Sequence, residues 1–144
     1  MAVFNDEEQQ RIRSAIESAE KNTSGQIRVC IEKTCGEDVL DRSAKYFHQL
    51  DMHKTRLRNG VLIYVATVDR KFAIIGDAGI NKVVPDNFWD DTKEQMLSQF
   101  KYGNLVEGIV TGLTIAGDKL KQYFPHQSDG SNEISDDVAF MDGE

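Results

Sequence analysis

An uncharged segment of nine residues, 60–68, constrains the fold more than any other part of the chain. Its content of Val, Ile, Leu and Tyr is typical of a strand that is buried on both faces. Asp69 and Arg70 then form a polar break, and residues 71–75 lead back as a second apolar segment. The two segments predict an antiparallel hairpin at the centre of the domain.

Apolar residues at helical spacing predict four amphipathic helices around this hairpin. The predicted helices cover residues 6–21, a segment after Asp38, a segment from Asp86 to about Gly103, and residues 105–124. The first three begin at Asn5, Asp38 and Asp86, whose side chains are favoured at helix N-termini.

Residues 27–32 alternate between apolar and polar side chains, which predicts a strand with one buried face. The order strand, helix, strand predicts a βαβ unit with parallel strands. Together with the antiparallel hairpin, this unit gives a small mixed sheet with helices on both faces. The predicted fold class is therefore α/β, an α/β/α sandwich with about four helices.

The last two helices carry further packing signals. Gly108 and Gly112 lie four residues apart, and we expect them to allow close packing of the last helix on the sheet. The apolar side chains expected to be buried by the preceding helix are Trp89, Met96, Leu97 and Phe100.

The net charge of −7 is concentrated in residues 126–144, which contain six acidic residues and no Lys or Arg. Without these six, the chain has 18 acidic and 17 basic residues. A nearly neutral body lacks the basic surface that nucleic-acid binding requires. Residues 126–144 are also rich in Ser, Asp and Gly, a composition that predicts a disordered acidic tail. The predicted organisation is therefore a single domain at 1–125 followed by this tail. Its expected role is solubility, and the alternative is binding of a protein partner.

No segment approaches the length and apolarity of a membrane span, and the N-terminus lacks a secretory pattern. Cys30 and Cys35 do not have the spacing of a redox CxxC motif, so we expect two reduced thiols. These features predict a cytoplasmic protein with no membrane and no nucleic-acid partner.

Three segments, 23–29, 58–66 and 69–80, resemble the TPM domain in their order and spacing. The resemblance covers about residues 5–125 and implies an α/β/α sandwich. It also implies divalent-metal binding and, as reported for some members, acid phosphatase activity. Many members carry a signal peptide and a membrane anchor, which are not expected here. Gln26 stands where the family usually has an acidic residue.

The predicted strand pairing brings Asn59, Gly76 and Asp77 to one end of the sheet. Asp77 lies between Gly76 and Gly79, two residues that permit unusual backbone angles. Oxygen ligands at this end would suit Ca²⁺ or Mg²⁺, whereas zinc and copper favour thiolate or imidazole. The metal ligands predicted here are Asp77, Asp86, Asp90 and Asp91. For the last three, the alternative interpretation is helix capping.

A basic loop leads to the same end of the sheet and contains His53, Lys54, Arg56 and Arg58. These side chains would suit a phosphate group, and the alternative is that they pair with nearby aspartates or are solvated. No nucleophile signature is evident. The preferred prediction is therefore a Ca²⁺- or Mg²⁺-binding domain with a regulatory or assembly role. The alternatives are a metal-assisted acid phosphatase for phosphomonoesters and a scaffold without a ligand.

Overall fold

The computed structural model describes residues 4–127 and 133–142. The helices and strands of these ranges are, in chain order, α1 Asp6–Glu20, β1 Gln26–Glu32, α2 Val39–Gln49, β2 Gly60–Ala66, β3 Lys71–Gly76, α3 Ala78–Asn81, α4 Asp90–Lys101, α5 Leu105–Leu120 and β4 Ala139–Phe140. A 3₁₀ turn, Met52–Lys54, lies before β2. The four long predicted helices are confirmed, and the short α3 is an addition.

The strands form a mixed sheet in the order β3-β2-β1-β4. β1 and β2 are parallel, with Gln26 beside Gly60 at one end and Glu32 beside Ala66 at the other. β2 and β3 are antiparallel, and β4 runs parallel to β1. The predicted βαβ unit and hairpin are therefore confirmed.

Helices cover both faces of the sheet, which confirms the α/β/α sandwich. On one face, α1, α4 and α5 enclose a core that includes Val29 and Ile63. On the other face, Leu62 and Tyr64 pack with Phe47 of α2. Successive β2 residues thus enter two different cores, which explains why the strand contains no polar positions. Within the described ranges, no helix is long and apolar enough to cross a membrane.

The first strand differs from its prediction. Residues 27–32 were expected to bury one face, but Cys30 and Glu32 are also buried, on the side of α2. β1 has a hydrogen-bonded strand on each side and helices above and below it. A central strand in this position buries both of its faces, whatever its sequence pattern.

The predicted disorder of residues 126–144 is wrong for residues 133–142. This segment contains β4, its Met141 N–H donates to Ile31 O at 2.9 Å, and Ile134 and Ala139 are each only 7% exposed. The pairing covers what would otherwise be an open edge of β1, an arrangement that stabilises the sheet against strand addition. Residues 128–132 and 143–144 lie outside the described part.

Helix α4 begins at Asp90, and Asp86 does not cap it. Residue Trp89 occupies the N-cap position without a side-chain hydrogen bond. The preceding residues form turns in which Phe88 N–H donates to Pro85 O and Asp90 N–H donates to Asn87 O, both at 3.1 Å. These turns bury the side chains of Phe88 and Trp89, and the helix begins at the next residue.

The last two helices pack against each other more closely than against the sheet. A methyl group added to Gly108 would lie 2.2 Å from the Phe100 ring, and one added to Gly112 would lie 2.5 Å from Met96 Sδ. The close packing was predicted, but its partner is α4. Leu97, predicted to be buried, is 42% exposed, because the preceding Met96 faces α5 and neighbouring helix residues point about 100° apart.

Candidate functional site

Asp77, the central residue of the predicted metal site, is held by an arginine. Its carboxylate accepts hydrogen bonds from Arg58 Nε at 2.7 Å and Arg58 Nη2 at 2.8 Å. It also caps α3 by accepting from Ala78 N–H at 2.7 Å. The Asp77 carboxylate raises the pKa of the Arg58 guanidinium above its ordinary value. Both oxygens of this buried side chain, 6% exposed, therefore have partners within the chain.

The loop before β2 fits closely against the start of α3. Arg58 has a left-handed backbone conformation, with φ of 52°, which is uncommon for a residue with a side chain. Its carbonyl accepts a hydrogen bond from Gly79 N–H at 2.8 Å. Gly76 and Gly79 were expected to supply unusual backbone angles, but neither has a positive φ. Gly79 instead supplies the space for this close approach.

The other predicted metal ligands do not join Asp77. Asp86 and Asp90 are exposed. Asp91 pairs with Lys119 at 2.8 Å, and this hydrogen bond lowers the pKa of the Asp91 carboxyl. Across residues 4–127 and 133–142, no group of three or more His, Cys, Asp or Glu side chains is placed to hold a metal ion.

The basic loop is largely engaged with neighbouring groups. Lys54 pairs with Asp51 at 3.3 Å, and the His53 ring stacks on His48 with 4.0 Å between centroids. Arg56 donates through its backbone to Glu133 at 3.1 Å and through its side chain to Gln127 at 3.0 Å. Together with the pairing of Arg58, these contacts favour the alternative in which the basic side chains pair with groups of the protein rather than with a phosphate.

Two side-chain amides, Gln26 and Asn59, lie at the amino end of the parallel strands, and Gln26 holds the C-terminal segment. Gln26 Oε1 accepts from the N–H groups of Glu133 at 2.9 Å and Ile134 at 3.1 Å. Asn59 is buried, and its Nδ2 donates to Ser24 Oγ at 3.4 Å. Its Oδ1 receives no hydrogen bond from any described residue. The side-chain oxygen of Gln26 therefore holds segment 133–142 at the end of β1.

A pair of carboxyl groups, Glu20 and Asp136, lies where no site was predicted. The two side chains are in hydrogen-bond contact, and Glu20 Oε2 also accepts from Ile27 N–H at 3.0 Å. Burial, followed by the contact with Asp136, raises the pKa of Glu20 to about 9. Asp136 is 9% exposed, and its buried Oδ1 receives no hydrogen bond from a described residue. Sequence reasoning missed this pair because Asp136 lies in the segment predicted to be disordered.

A second unpredicted cluster surrounds Glu32 at the carboxyl end of β1. Tyr46 Oη donates to Glu32 Oε1 and Tyr64 Oη donates to Glu32 Oε2, both at 2.5 Å. Arg42 Nε lies 3.3 Å from the same carboxylate. Burial, followed by the hydrogen bond to Glu32, raises the pKa of both tyrosines above the ordinary value. Glu32 therefore joins β1, β2 and α2 through charge-assisted hydrogen bonds.

The sequence profile of the TPM domain matches residues 1–119. The chain belongs to the TPM domain family. It is similar to the BA42 protein of the psychrophilic bacterium Bizionia argentinensis, solved by NMR, with 48% sequence identity over 96% of both chains and a TM-score of 0.91. Among curated proteins, none matches this chain.

Two more distant NMR structures share the fold of this TPM domain. The N-terminal domain of a protein from P. gingivalis has 16% identity and a TM-score of 0.71, with 88% of this chain and 82% of that chain covered. The N-terminal domain of the cg2496 protein from Corynebacterium glutamicum has 12% identity and a TM-score of 0.65, with 94% and 80% covered.

The carboxyl pair predicts a pH dependence of the TPM domain's stability. Because the pKa of Glu20 is raised from 4.5 to about 9, its stabilising contribution is complete below pH 4.5 and is lost as the pH rises toward 9. Glu20→Gln removes the ionisation and should raise the free energy of unfolding by about 2 kcal/mol at pH 8, with little effect at pH 4.5. Urea unfolding at both pH values measures this difference. Glu94→Gln, at an exposed position of α4, is the control, and an equal effect of Glu20→Gln at both pH values would contradict the assignment.

Proposed function

We propose that this TPM domain binds a divalent cation, Ca²⁺ or Mg²⁺, and that Glu20 and Asp136 hold it. The proposal rests on the contact between these two carboxyl groups. Two carboxyl groups in contact either share a proton, so that only one is ionised, or are both ionised with a cation between them. Asp136 Oδ1, which lacks a hydrogen-bond donor among the described residues, supplies a ligand of the type that both cations prefer.

Asp77 is a weaker candidate for the same role. A cation that bound its carboxylate would have to replace the two hydrogen bonds from Arg58. The phosphatase alternative gains no support from the basic loop, since Lys54 and Arg58 are paired with carboxylates. The binding domain is therefore the better supported function.

The proposed role is regulatory or assembly-related because the cation would join two separate parts of the fold. Glu20 is the last residue of α1, and Asp136 lies just before β4. The same segment is held by Gln26 and by the ion pair between Arg13 and Asp137. A cation at this point would tighten the attachment of segment 133–142 to the sheet.

Calorimetric titration with Ca²⁺ and Mg²⁺, together with thermal unfolding, tests the proposal. We expect a free-energy gain of about 2.7 kcal/mol at a cation concentration of 100 times Kd, which raises Tm by roughly 8 °C. Glu20→Gln should abolish both the heat of binding and the Tm shift. Asp77→Asn, which preserves a capping side chain, should retain them.

The pH dependence of the titration provides an independent check. Because cation binding must displace the proton of Glu20, the affinity should rise by up to about tenfold per pH unit between pH 6 and 8. Loss of binding in Asp77→Asn but not in Glu20→Gln would instead place the cation at Asp77. The absence of binding to the native protein at millimolar Ca²⁺ and Mg²⁺ would reject a cation-binding function.

A further inference from the structure

A groove of about 570 Å³ lies at the end of the sheet where β2 turns into β3. Its walls are the start of β3, the last turns of α4 and the start of α5. Phe72 and Phe100 meet edge to face with 5.1 Å between their centroids, and both line the groove. The exposed Leu97 and the half-buried Leu105 extend this apolar surface. The volume is within the range of about 300–1,000 Å³ that is typical of small-molecule sites.

Three cationic residues lie beside the apolar surface: Arg70, Lys71 and Lys101. Lys71 Nζ donates to Cys35 O at 3.3 Å. Within the described ranges, the side chains of Arg70 and Lys101 have neither an ion-pair nor a hydrogen-bond partner. The residues that line the groove include no Asp or Glu, so the two unpaired cations give it a positive charge.

Protection of the sheet edge explains only part of this arrangement. β3 is an edge strand, and cationic side chains at such strands prevent pairing with other chains. This role accounts for Arg70 and Lys71. It does not account for Lys101, which lies on α4, or for the aromatic surface between the strand and the helix.

We propose that this groove binds an amphipathic anion with an aliphatic body, specifically a medium-chain fatty acid. The chain lies against Phe72, Leu97 and Phe100, and the carboxylate is bound by Arg70 and Lys101. Apolar burial supplies the affinity, and the two cations select the charged head group. The groove is separate from Glu20 and Asp136, so its ligand does not depend on the proposed cation.

Decanoate, kept below its micelle-forming concentration, is the probe for this site. Amide NMR spectra of the labelled native protein should show saturable shifts at groove residues such as Phe72 and Lys101. The double variant Arg70→Gln/Lys101→Gln should weaken decanoate binding about tenfold, since each cation makes an exposed charge contact. Decanol should bind the native protein and this double variant equally. Lys82→Gln, an exposed cation outside the groove, is the matched control and should bind decanoate normally.

Leu97→Asp tests the apolar part of the site, and unchanged thermal unfolding would show that this exposed substitution preserves the fold. It should abolish the decanoate shifts. The proposal is overturned if decanoate does not shift groove amides at about 1 mM, or if the double variant binds it as tightly as the native protein. If the native protein dimerises and Leu97→Asp abolishes the dimer, the groove binds a second copy of the chain instead. Saturable binding of an acidic peptide in the absence of decanoate binding would assign it to a protein partner.

Discussion

Gly79→Ala should destabilise the domain by about 3 kcal/mol or more, one of the two largest effects that we expect. The added methyl group would lie 2.3 Å from Leu57 O and 2.5 Å from Arg58 O. Both contacts are with backbone atoms, so rotation of a side chain cannot relieve them. The substitution should separate α3 from the loop before β2 and break the pairing of Asp77 with Arg58.

Equilibrium urea unfolding, followed by circular dichroism, measures the loss. Gly36→Ala is the matched control because a methyl group there has no heavy atom within 4 Å, and its stability should change by no more than about 0.5 kcal/mol. NMR spectra of Gly79→Ala should show the largest shifts at Arg58 and Asp77. Equal free energies of unfolding for the two variants would show that the loop before β2 can shift to accommodate the methyl group without loss of stability.

Glu32→Ala should cost about 4 kcal/mol. The Glu32 side chain, in a residue only 7% exposed, accepts hydrogen bonds from Tyr46 and Tyr64 and lies near Arg42. Its removal leaves the hydroxyl groups of Tyr46 and Tyr64 without their acceptor, and each unsatisfied donor typically costs about 1–3 kcal/mol. The substitution also leaves a cavity between the sheet and α2.

Glu37→Ala separates this effect from the loss of a negative charge. Glu37 pairs with Lys45 at 2.9 Å and with Arg42 at 3.4 Å, but its side chain is 30% exposed. Its removal should therefore cost no more than about 1 kcal/mol. Urea unfolding of both variants at one pH gives the comparison. A loss in Glu32→Ala no greater than in Glu37→Ala would show that the buried carboxylate contributes little to stability.

The architecture was predictable because its signals are local. The uncharged segment of β2, the polar turn at Asp69 and the periodic helices each extend over fewer than about 20 residues. The parallel relation of β1 and β2 followed from the helix between them, because a short turn cannot join parallel strands. The family resemblance rested on the same segments and is confirmed by the profile match to residues 1–119.

The candidate site was less predictable because its partners are distant in the sequence. Asp77 and Arg58 were placed at one end of the sheet, but the sequence does not show that the two side chains pair with each other rather than with a ligand. Glu20 looks like any polar residue at the end of an amphipathic helix, and its partner Asp136 lies in a segment whose composition favours disorder.

By itself, the sequence determined the order of helices and strands, the mixed sheet and the sandwich, since these depend on periodicity and turn residues. Only the tertiary structure decided that β1 is buried on both faces, that residues 133–142 cover its edge, and that Gly108 faces α4. It also decided the partners of the buried carboxylates. Burial and charge pairing depend on which surfaces meet after folding, and a one-dimensional pattern does not contain that information for groups far apart in the chain.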